Sequence, residues 1–227
     1  MKRIAPHGSL PYLWQFAAAA LSLALLSGCG VLSTMGSPAP QPTFYSLAYM
    51  PGTVPDAAAP AAPRAAVTAL TLIVSPSHAA AGFDSRRIMY LRQANQLEYF
   101  AHSEWIDTPA RMLTPLIVSA VESSGTFRAV VQTPGAAAGE MRLDTEILRL
   151  QHEFLGTPSK VRFTLRAYLV ESATRRVIAA REFDAVVSAT SEDPSGGVVA
   201  ASRAVKTVLD DLSAFCADAA RSVRMDK

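Results

Sequence analysis

From residue 141 onward, polar and apolar positions alternate with a regularity that dictates strands. Met141, Leu143, Thr145 and Ile147 alternate with charged residues; Leu148, Leu150, His152 and Phe154 then alternate in the opposite phase. Successive side chains of a strand point to opposite faces, so a one-residue slip would turn the second half over. A β-bulge at Ile147–Leu148 accounts for the change of phase. Val161, Phe163, Leu165, Ala167 and Leu169 alternate strictly against Arg162, Thr164, Arg166 and Tyr168, and Phe183, Ala185 and Val187 repeat the period. With Arg175 in the turn between them, these two segments predict a long antiparallel hairpin. Earlier in the chain, "ALTLIVS" (69–75) reads as a buried strand. "RRIMYLR" and "NQLEYFA" read as two strands joined by a polar turn at Gln93–Gln96, "FRAVVQ" as a further strand, and "FYSL", Phe44 to Leu47, as a short one.

A helical period appears twice. Met112, Leu113, Leu116, Ile117, Ala120 and Val121 recur at three- and four-residue steps, behind Thr108 as a cap and Pro109 at the first turn, and Gly125 marks the stop. After "DPSGG" (193–197), Val205, Val208, Leu209, Leu212, Phe215, Cys216 and Ala219 form one apolar stripe. Strands, a helix, long antiparallel strands and a final helix predict an α+β fold: a mostly antiparallel sheet with two main helices packed on one face.

Two stretches cannot contribute to a core. "GVLSTMGSPAPQP" (30–42) is a flexible tether that spans at most ~45 Å when stretched. "PGTVPDAAAPAAPRAA" (51–66) reads as a surface loop, because proline is excluded from helix interiors and central strands.

The N-terminus changes the picture of composition and charge. Lys2 and Arg3 precede an apolar run from Leu10 to Leu26, broken by Gln15, and no acid occurs before Asp56. The uninterrupted part, Phe16 to Leu26, is shorter than the about 20 residues of a transmembrane helix. Leu26-Ser27-Gly28-Cys29 resembles the lipobox of bacterial lipoproteins. That resemblance implies diacylglycerol on the Cys29 sulfur, cleavage before Cys29 and acylation of the new amino group. Two or three acyl chains anchor firmly where one would not. Residue 30 is Gly, not the Asp that marks inner-membrane retention in enterobacterial lipoproteins, so the resemblance points to the outer membrane, periplasmic face. Processing would remove two of the 21 basic residues and none of the 19 acidic ones, so the charges of the mature chain balance and nothing suggests nucleic acid as a partner. The expected organisation is a signal peptide at 1–28, a lipidated tether at 29–42 and one domain at 43–227.

Candidate chemistry is sparse. With Cys29 as a thioether, Cys216 is the only thiol, and it falls on the apolar face of the last predicted helix. "HEFLG" (152–156) begins like the zinc motif H-E-x-x-H, but Gly156 stands at the second histidine and the segment reads as strand, so no metal site is expected. His102, Glu104 and Asp107 cluster near Trp105 in what reads as a loop, and His78 stands alone. "GAAAGE" (135–140) lacks the Lys-Ser/Thr of a phosphate loop. Glu192-Asp193 reads as a solvent-facing turn with no acid/base partner nearby. No catalytic residue and no cofactor is expected, and the chain reads as a non-enzyme.

The order of motifs in "RRIMYLRQANQLEYFAHSEWIDTPARML" (86–113) resembles the ABC-type transport auxiliary lipoprotein family, the small lipoproteins that accompany MCE-domain lipid transporters. An aromatic "FYSL" strand follows the lipidated cysteine. Arg87 flanks one strand, Tyr90 and Tyr99 lie on it and its neighbour, and Trp105 precedes the Pro109 that opens a helix; "IDTP" stands where the family has a small residue and Glu-Pro. The resemblance spans roughly 43–220. It implies function through binding: to an MCE-domain protein with its permease and ATPase, to transported lipid, or to further copies in a homo-oligomer. Trp105, Tyr99 and Tyr90 are the candidate partner-binding residues, with 99–109 as the partner-facing segment. The alternative is a structural assembly lipoprotein that scaffolds an outer-membrane complex.

Overall fold

The computed structural model describes residues 41–49, 68–135 and 138–225. Cys29, the signal peptide, residues 30–40 of the tether and the 51–66 stretch lie outside these residues. A compact unit begins at Pro42.

Its strands are β1 (Thr43–Tyr45), β2 (Thr71–Val74), β3 (His78–Ala79), β4 (Arg87–Gln93), β5 (Gln96–Trp105), β6 (Ala129–Gln132), β7 (Met141–Glu153), β8 (Lys160–Glu171) and β9 (Val177–Ser188); its helices are α1 (Pro109–Ser123) and α2 (Pro194–Met225). All nine strands join one sheet. β7 is its spine. β8 pairs along the whole of one edge of β7, antiparallel, and β9 continues the ladder outward. On the other edge β7 takes three partners in turn, all parallel: β2 against Met141–Leu143, β3 against Glu146–Ile147, and β4 against Gln151–Glu153. β5 and then β1 extend the sheet beyond β4, and β6 extends it beyond β2. The expected α+β class holds. The long ladders are antiparallel, as the alternation demanded, and the parallel ladders are short pairings between strands brought together by crossover connections.

The bulge falls where the change of phase places it. The β7–β8 register shifts between Ile147 and Arg149, leaving Leu148 without a partner. Met141, Leu143, Thr145 and Ile147 before the shift, and Leu150 and His152 after it, are therefore all buried on one face. Val161, Phe163, Leu165, Ala167 and Leu169 from β8 join them, with Phe183 and Ala185 from β9. Arg175 sits in the β8–β9 turn at φ 58°.

Both helices cover this face. α1 buries Leu113, Ile117, Ala120 and Val121. Its N-terminus differs from the expected capping. Thr108 is at the cap position, yet its side chain makes no capping hydrogen bond. Asp107 orders the approach to the helix: its Oδ1 accepts the N–H of Thr108 itself at 2.8 Å, and its carboxylate pairs with Arg111 one turn on at 3.3 Å. Gly125, at φ 65°, ends the turn that follows. α2 presents the expected stripe, with Val205, Val208, Leu209, Leu212 and Cys216 at 1% exposure or less. It starts earlier than expected, at Pro194, and takes Gly196 and Gly197 into its first turn. Asp193 Oδ1 accepts the Gly196 N–H at 2.8 Å. Glycine is required here by proximity: a Cβ on Gly196 would lie 2.3 Å from Ser191 O, and one on Gly197 2.5 Å from His152 Nδ1.

Candidate functional site

The three aromatic candidates occupy three different environments. Trp105, at the end of β5, is 3% exposed and belongs to the central core with Ile88, Leu113 and Leu150. Its main chain is tied down as well, its N–H donating to Arg86 O at 2.7 Å and its carbonyl accepting Arg86 Nε at 3.1 Å. Trp105 is therefore not a surface anchor: β1 pairs alongside it, Tyr45 opposite Trp105, and its side chain packs in the core. Tyr90 is also buried, at 8%, with its hydroxyl donating to Glu98 at 2.8 Å. Its ring stacks 4.6 Å from Phe100 and meets Phe154 edge-on at 5.9 Å. Only Tyr99 is open, at 48% exposure. The two tyrosines do not pair across the sheet. Tyr90 stands opposite Glu98 and Tyr99 opposite Met89, so they face opposite ways.

His102 and Glu104 lie within β5, not in a loop. Glu104 pairs with Arg86 at 3.6 Å, while Asp107 is taken up at the start of α1. Among the described residues, no group of three or more His, Cys, Asp or Glu is placed to hold a metal ion.

Glu192 and Asp193, expected in a solvent-facing turn, are both hydrogen-bonded to the backbone around them. Glu192 accepts the Ser159 N–H at 2.9 Å, and Ser159 Oγ lies 2.7 Å from His152 Nε2. This joins the base of the β7–β8 turn to the N-terminus of α2. The same arrangement holds Glu192 below its usual carboxylate range through its hydrogen bonds with Ser159, and Asp193 below its own through the Gly196 and Ser191 bonds. His152 is pushed below 6.5 by burial, with the charges of Glu192 and Asp193 opposing the shift. Chemically this is a closed structural joint. Ser159 is fully buried and His152 is 2% exposed, so no substrate reaches the pair. His152 Nδ1 has no hydrogen-bond partner and lies under Gly197. No local spacing signals this contact, since residues 152 and 159 reach residue 192 only when α2 docks. Cys216 is likewise inert: burial pushes its thiol up to about 12.

The outer face of the long hairpin is polar and internally compensated. Arg166 faces Glu146 on one neighbour and Glu182 on the other in direct register, at 3.6 and 3.2 Å. Arg162 bridges Glu153 and Asp184 at 3.1 and 2.6 Å. At the end of this face the 154–158 turn borders a cavity of about 560 Å³ that includes Leu155, Pro158, Lys160 and Val186.

The model of the ABC-type transport auxiliary lipoprotein component family matches residues 53–213, most of the folded unit. The chain belongs to this family. No curated protein matches it. Among solved structures, protein XCC0632 from Xanthomonas campestris, of family DUF330, superposes with a TM-score of 0.69 at 23% identity, covering 81% of this chain and 99% of that one. An uncharacterized protein superposes at 0.56 with 13% identity, covering 78% and 97%. At these identities the likeness establishes the fold alone. This auxiliary lipoprotein thus shares its fold with both of these structures.

Proposed function

We propose that this protein is the lipid-anchored auxiliary component of an ABC-type, MCE-linked lipid transport system. It is held to the outer membrane through acylated Cys29 and faces the periplasm. There it works by binding an MCE-domain protein served by a permease and an ATPase, with transported lipid or further copies of itself as additional partners. The observation that carries this reading is the family membership of the folded unit, joined to a lipobox at Cys29. The closed His152–Ser159 joint and the inert Cys216 support a binding role without catalysis. The test is purification of the full chain, extracted in mild detergent from its native membranes. Co-purification of an MCE-domain protein with its permease and ATPase supports the reading; retention of an outer-membrane barrel without them favours the scaffold alternative. Cys29→Ala should leave the domain folded, since position 29 lies outside the compact unit that begins at Pro42, and move the protein out of the acylated membrane fraction. Mass spectrometry showing an unacylated mature N-terminus away from Cys29 would overturn the anchor.

A further inference from the structure

We propose that the corner formed by β1, β5 and the start of β4 rests against the anionic lipid surface in which the chain is anchored. This inference depends on the reading of Cys29 as the acylated residue.

The corner gathers exposed apolar side chains on one face. Phe44 stands opposite Glu104, and Glu104 opposite Arg87, so the three share the sheet face turned away from the helices. Ile106 extends the same row: its N–H donates to Tyr45 O at 2.7 Å, and it follows the inward-pointing Trp105. Tyr99, opposite Met89, completes the patch. Phe44, Tyr99 and Ile106 are 50%, 48% and 59% exposed, although strand pairing holds the backbone around them.

Two guanidinium groups are built into the same surface. Arg86 lies 5.1 Å over the Phe44 ring and Arg87 4.1 Å over the Tyr99 ring. Glu104 is the carboxylate paired with them, through Arg86. Arginine is more weakly hydrated than lysine and grips phosphate oxygens with a planar fork. Aromatic side chains carry large apolar bodies suited to the boundary between headgroups and acyl chains. Stacked arginines beside open aromatic and aliphatic groups therefore match phosphate headgroups over an apolar layer. The hairpin face around Arg162 and Arg166 does not, because its cations are already paired on both sides.

Position in the chain selects the same corner. Phe44 follows Cys29 by 15 residues, which reach at most about 50 Å. β1 is the first strand among the described residues. The opposite sheet edge, β9, is five strand spacings away across β5, β4, β7 and β8, roughly 25 Å farther from this corner.

The test uses the full chain, natively processed and reconstituted into vesicles of phosphatidylethanolamine and phosphatidylglycerol that contain a headgroup-quencher lipid. Phe44→Cys, Ile106→Cys and Val177→Cys each carry one fluorophore. Buried Cys216 does not compete for label, and Val177, 52% exposed on β9, is the control. Quenching several-fold stronger at 44 and 106 than at 177, and reduced when Arg86→Gln and Arg87→Gln are combined, supports the proposal. Equal quenching at all three positions, with Cys29 acylated by mass spectrometry, overturns the membrane-facing corner and leaves the anchor standing. A label at 44 or 106 already shielded before reconstitution overturns it in favour of contact between copies. An unacylated Cys29 removes the anchor reading and the proposal together.

Discussion

An indole reports the polarity around it, and a chain that begins at Cys29 contains one tryptophan, Trp105, since the other is Trp14. With 3% of Trp105 exposed, its emission should be blue and should not move when vesicles or a partner protein are added. Trp105→Ala should destabilise the domain by about 3–5 kcal/mol, from the lost apolar area and the cavity left behind, a large part of a typical stability of about 5–15 kcal/mol. Denaturant unfolding of the two proteins measures this difference, and a red emission with unchanged stability would return Trp105 to the surface. The same residue shows why local pattern misleads about sites. A tryptophan between an aromatic strand and a capped helix reads as a surface anchor. It is buried in a core that also takes in Leu47 after β1, and Tyr49 just beyond donates to Asp210 on α2 at 3.2 Å. That long-range contact has no signature around residue 105.

At the scale of elements, β7 carries the most information. Its two phases of alternation predict the bulge, and a deletion tests it. Removing Leu148 leaves Ile147, Arg149 and Leu150 opposite Leu165, Thr164 and Phe163, a regular ladder in which every side chain keeps its face. That variant should fold, at a cost of roughly 1–3 kcal/mol for the lost bend and packing. Removing Thr145 instead turns Glu146 into the core or turns Met141 and Leu143 out of it, and should abolish cooperative thermal unfolding. Equal behaviour of the two deletions by circular dichroism would disprove the register. The hairpin, the bulge and the α2 stripe were legible in the sequence because each is set by a period of two or 3.6 within a single segment. The five parallel pairings were not, because β2, β3 and β4 choose their places along β7 only through crossovers that no local period records. The early start of α2 was hidden for a related reason: two glycines read as a breaker until Ser191 and His152 are known to press on them.

At the scale of the molecule, His152 ties together three regions that the chain separates: the aromatic cluster of Tyr90, Phe100 and Phe154, the base of the β7–β8 turn at Ser159, and the first turn of α2. Burial favours the neutral imidazole there over the charged one. Burial is the larger influence and outweighs the attraction of Glu192 and Asp193, so the folded protein holds His152 below its ordinary value of 6.5. The unfolded chain, whose histidine titrates near 6.5, then binds more protons than the folded one as pH falls through that value. Stability contributed by the neutral ring is complete above 6.5 and declines below it until the folded ring is itself protonated. Glu192 and Asp193 act in a lower window: their contribution is present above their ordinary values of 4.5 and 3.8 and declines as pH falls below them. The two effects separate experimentally. Unfolding free energy measured by denaturant between about pH 5 and 7 should fall with acidity in the native protein. His152→Gln removes the titrating ring. Its stability should be lower at pH 7, through loss of packing and of the Ser159 bond, and nearly flat across that interval. A variant with the same pH slope as the native protein would assign the acid sensitivity to another group and leave His152 as packing alone.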